Sequence, residues 1–178
     1  DNLPRGLLTL NCNNNSITHL NNLPETLITL NCYDNMITRM NNLPPNLTTL
    51  KCFHNGMEEI GNLPSNLTVL QCHRNKLKTL GPFPPKLKFL NCSNNFIIDL
   101  TNLPDTIIDL NCACNPFLET LDIPPNVQYL ICSFTRLNGT ITLPQSVINV
   151  SCYQTYIESI ISYETTKNIE CNADVKRT

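Results

Sequence analysis

The sequence predicts a solenoid of about eight 20-residue turns, in which one short strand per turn builds a parallel β-sheet. Three columns predict it. Proline recurs at Pro4, Pro24, Pro44, Pro64, Pro84, Pro104, Pro124 and Pro144. Cysteine recurs from Cys12 to Cys152, again in steps of 20. Asparagine stands three places after each cysteine from Asn15 to Asn115.

Each part of the unit has a physical reason. A turn this short cannot bury its own apolar residues, so it must stack on its neighbours. The residues around Leu10 and Cys12 alternate as a short strand does, and stacked strands stand about 4.8 Å apart. The asparagine follows the strand, where the chain turns inward, and its amide can both donate and accept. The Leu-Pro pair fixes an extended or polyproline-like return on the opposite face, with little room for a helix. Near "TLDIPPNV" and "TITLPQSV", Leu121 and Ile141 fall one place late, which predicts short strands on the convex side. Phe117 occupies the column of inward residues that runs from Ile17 to Ile157. Residues 1–160 read as the repeat array, and 161–178 as a degenerate final repeat or C-terminal cap. The first turn carries no cap, so either an N-terminal extension or end-to-end pairing into a homo-oligomer is expected.

The unit L-P-x-x-L-x-x-L-x-C-x-x-N-x-I-x-x-L resembles leucine-rich repeats, with Cys12 at the third leucine of L-x-x-L-x-L-x-x-N-x-L. The short, proline-containing form looks like the class found in secreted effectors of bacterial pathogens, and the Asn- and Ile-rich array is also similar to proteins of giant viruses. The resemblance implies an arc with the sheet on its concave face.

The cysteine column reads as buried, reduced thiols, because a thiol behaves as a small hydrophobe. Adjacent thiols have Cα atoms within disulfide range, but their parallel Cβ bonds keep them further apart than a bridge prefers. A single column does not converge on a metal. Ten unbridged thiols imply a reducing, cytoplasmic compartment, host cytoplasm included. Glycosylation sequons such as those at Asn14, Asn46, Asn66, Asn138 and Asn149 weigh less in so Asn-rich a chain. Cys114, at a strand end, is the expected reactive thiol.

With Leu10 and Cys12 inward, positions 9, 11 and 13 of each turn face out. The column at 13 sets Tyr33, Phe53 and His73 on neighbouring strands as an exposed ring-bearing stripe. Phe89 and Tyr129 stand in the column at 9, and Tyr153 in the column at 13. Arg74 begins a basic stretch, residues 71–90, with Lys76, Lys78, Lys86, Lys88 and no acid, which Lys51, His54 and His73 are expected to extend. Residues 99–178 carry nine acids against four bases. These residues are the candidate contacts for a protein partner.

The formal net charge of -2 argues against a nucleic-acid binder, and no apolar run is long enough to span a membrane. No nucleophile–base arrangement, phosphate-cradling loop, metal spacing or cofactor motif is present. The expectation is a non-catalytic protein-recognition scaffold. Two alternatives stay open: the substrate-selecting part of a larger ubiquitin-ligase-type effector, and a structural element that self-assembles through its repeat ends.

Overall fold

The computed structural model describes residues 3–177. Nine strands form one parallel sheet on the concave side of the solenoid, in chain order. They are β1 (Thr9–Asn11), β2 (Thr29–Asn31), β3 (Thr49–Lys51), β4 (Val69–Gln71) and β5 (Phe89–Asn91), then β6 (Asp109–Asn111), β7 (Tyr129–Ile131), β8 (Asn149–Cys152) and β9 (Asn168–Cys171). No helix occurs among the described residues. The register is set by the repeat: Leu10 lies opposite Leu30, Leu30 opposite Leu50, and so on to Val150 opposite Ile169.

The core follows from the columns. Leu27, Leu30, Cys32 and Ile37 are fully buried, and so are their equivalents Leu87, Cys92 and Ile97 three turns further on, in the array's middle. Burying each leucine contributes roughly 1.5–3 kcal/mol, available only because another turn covers it. In the first turn the same positions, Leu7, Leu10, Cys12 and Ile17, are only half-buried.

Two polar ladders stitch the turns together. The Asn35 side chain donates from Nδ2 to the carbonyls of Cys32 and Tyr33 in its own turn and of Cys12 in the turn before. Its Oδ1 accepts from the Ile17 amide at 2.9 Å. Asn55, Asn75, Asn95 and Asn115 repeat the pattern. Thr135 and Thr155 keep only the bond to the cysteine carbonyl of their own turn. The second ladder lies just before the strand. Thr26, Thr106 and Ser146 each donate to two carbonyls of the preceding turn, and Asn46 and Asn126 each donate to one.

The proline does more than extend the chain. In every turn its carbonyl accepts from the amide three residues on, as from Leu7 to Pro4 at 3.0 Å and from Val147 to Pro144 at 3.0 Å. It therefore heads a tight turn that aims the next strand. After the strand, residues 14, 34, 54, 74, 94, 114, 134 and 154 all adopt left-handed φ between 51° and 61°. Asn14, Asp34 and Asn94 suit that region; Arg74 and Phe134 do not, and the ladder bonds on either side hold them there.

The convex side carries short strands, as expected from the late Leu121 and Ile141. Thr120–Leu121 pairs with Asp99–Leu100, and Asn138–Thr142 pairs with Tyr156–Ile161, which in turn pairs with Lys176–Arg177. A further pair, Arg39–Met40 with Glu59–Ile60, has no such sequence signal. Phe117 departs from its expected inward place. A tight turn from Asn115, closed by the Leu118 amide at 3.0 Å, delays the register by one residue. Leu118 is buried instead, and Phe117 is 45% exposed.

Candidate functional site

The outward face of the sheet divides into two regions. Around β2 to β4, the rings of Tyr33 and Phe53 stack with centroids 4.4 Å apart, and those of Phe53 and His73 stack at 4.3 Å. Interplanar angles of 6° and 11° follow from the strand spacing, which is near the thickness of a stacked ring pair. The expected stripe is thus present, but half-buried rather than fully exposed, because each ring covers its neighbour's face. His73 Nδ1 is buried with no hydrogen-bond partner among the described residues. Burial, and then the Arg74 charge, lower the His73 pKa.

The basic side is accordingly narrower than expected. The lowered His73 pKa disfavours its charged form, and His54 Nδ1 pairs with Asp34 Oδ1. Arg74 is exposed in the turn after β4. Lys86 and Lys88 lie before β5, and Lys76 and Lys78 after β4, so the stretch winds around a turn instead of forming one patch.

The second region covers β5 to β9. Phe89 on β5 and Tyr129 on β7 are 44% and 41% exposed. Asp109 on β6 lies between them, in register with both. Its carboxylate has no hydrogen bond or ion pair among the described residues, and burial raises its pKa. Two hollows open here. One of about 280 Å³ is lined by Gln71, Phe89, Asn91, Asp109, Asn111 and Ile131. The other, about 230 Å³, is lined by Tyr129, Ile131, Asn149, Ser151, Asn168 and Glu170. Tyr153 stands apart, just past β8; the small residues Ser93, Ala113 and Ser133 separate it from the stacked rings. Asp109 and Ile131 carry no sequence signal beyond their columns; only their neighbours across the sheet single them out.

All ten cysteines are unbridged. Burial pushes the Cys32 and Cys72 thiols up to about 12, and Cys52, Cys92, Cys112 and Cys132 well above the usual range. Cys114 is half-exposed in its turn, outside the inward column. No cluster of three or more His, Cys, Asp or Glu able to hold a metal is found among the described residues.

These features define a leucine-rich-repeat solenoid of the short-turn kind seen in bacterial effectors. Solved structures carry the likeness. YopM from Yersinia enterocolitica WA-314 is 30% identical with a TM-score of 0.71, covering 93% of this chain and 43% of its own. YopM from Yersinia pestis, described as a leucine-rich effector protein, is 25% identical with a TM-score of 0.61, covering 98% of this chain and 46% of its own. The InlJ functional domain of Listeria monocytogenes, described as including a cysteine ladder, shares the fold at 21% identity and a TM-score of 0.68, covering 94% of this chain and 54% of its own. The chain thus spans about half the length of these structures or less. No family model and no curated protein matches it.

Proposed function

We propose that this chain is a non-catalytic scaffold that binds a protein partner on the outward face of its main sheet. One observation carries the reading: that face holds Tyr33, Phe53, Phe89 and Tyr129 on a rigid, in-register frame, with two hollows between its side chains. Aromatic groups fixed on a preorganised surface make effective contacts, because little conformational freedom remains to be lost on binding. The likeness to the Yersinia effector supports a partner in a host cell. The free thiols support a reducing compartment for the array.

The test places a photo-crosslinking side chain at Asn91 on the sheet face or at Asn102 on the convex side. Crosslinking to a defined protein from position 91 only, lost in Tyr33→Ala/Phe53→Ala, is expected. Capture from position 102 alone would reject the sheet face as the contact.

A further inference from the structure

We propose that Phe89, Asp109 and Tyr129 form a receptor for an arginine side chain presented by the partner protein. The inference rests on the sheet-face reading and names the chemistry of its contact. Three strands in register set a carboxylate between two exposed rings. The strands that carry the rings each stand one spacing, about 4.8 Å, from that of Asp109, so a cation held at the carboxylate falls within the roughly 6 Å reach of cation–π attraction. A planar guanidinium can therefore lie between the rings and fork onto the carboxylate, whereas an ammonium can satisfy only the charge.

The surroundings favour a cation. From β4 to β9 the outward strand positions carry two carboxylates, Asp109 and Glu170, and no lysine or arginine. Asp109 is half-buried and lacks a counter-ion among the described residues, so it bears a desolvation cost that the charge of an incoming guanidinium would offset. Three carboxylates elsewhere do have a basic partner: Asp34 with His54, Glu59 with Arg39 and Glu119 with Arg136. The hollow beside Asp109 has room for the stem of the side chain, against Ile131.

The experiment titrates the protein with the blocked peptide acetyl-Gly-Gly-Arg-Gly-Gly-amide and with its uncharged citrulline counterpart, followed by backbone amide shifts. Expected are shifts confined to Phe89–Asn91, Asp109–Asn111 and Tyr129–Ile131, with affinity at least fivefold above citrulline. Asp109→Asn should abolish that preference while leaving the amide spectrum dispersed, and Asp105→Asn should not change it. Tyr129→Ala, which keeps the charge, should also weaken arginine binding. Equal affinity for both peptides, a lysine peptide binding as tightly as arginine, or shifts scattered over other carboxylates would overturn the assignment. Failure here is separable from failure of the sheet-face reading. Crosslinking at position 91 that is lost in Tyr33→Ala/Phe53→Ala but indifferent to Asp109→Asn defeats the arginine site alone.

Discussion

At the scale of single residues, the asparagine amides are the least replaceable polar groups. Asn95 is 2% exposed, donates to the carbonyls of Cys72, Cys92 and Ser93, and accepts from the Leu77 amide at 3.0 Å. Removing it orphans buried backbone groups in two turns at once. Asn95→Ala should therefore cost about 3 kcal/mol in urea unfolding. Asn95→Thr should recover part of it, since Thr135 and Thr155 already satisfy the cysteine carbonyl of their own turns. A loss below about 1 kcal/mol for the alanine variant would show that water replaces the amide freely.

Among the elements, the sixth turn tests how the repeat absorbs an irregularity. The tight turn from Asn115 passes the inward slot from Phe117 to Leu118 and leaves Phe117 near Phe96, at 6.3 Å between centroids, and under the Arg136 guanidinium at 5.5 Å. The larger residue is thus the less important one for stability. Leu118→Ala should lower stability by about 2–5 kcal/mol, and Phe117→Ala by less than about 1 kcal/mol. Thermal and urea unfolding of the two variants would check the order, and the reverse order would contradict the delayed register. The adjoining convex strands follow from the same delay: Leu121 comes opposite Leu100, whereas 20-residue spacing alone would put Thr120 there.

Across the whole molecule, the thiol column couples stability to pH. Burial holds Cys72 near 12 and Cys52, Cys92, Cys112 and Cys132 well above 9.0, their ordinary value. The folded state therefore keeps these protons where the unfolded chain releases them. Their contribution is fully present below about pH 9 and is lost as pH rises from there through about 12. In reducing buffer, the urea midpoint should fall steeply above pH 9, and Cys52→Ala/Cys92→Ala should show a shallower fall. Parallel curves for the two proteins would show that these thiols do not carry the loss.

The chain's own order determined the architecture. A 20-residue period carried by proline, cysteine and asparagine admits only in-phase stacking, so the sheet, its register, the buried thiols and the Tyr33–Phe53–His73 neighbourhood are all legible in the columns. Reading columns fails where a residue's meaning lies in what stands beside it on other turns. The second polar ladder at Thr26, Asn46, Thr106 and Ser146 mixes residue types that share only the geometry of reaching back to a carbonyl. Phe117 and Leu118 are both apolar, so only the turn between them decides which is buried. Asp109 is one acid among nine from residue 99 on until the folded sheet sets it between Phe89 and Tyr129, with no cation paired to it among the described residues. Periodicity specifies which positions share an environment, but charge and shape at a surface arise from neighbours 20 residues apart, and folding alone brings those together.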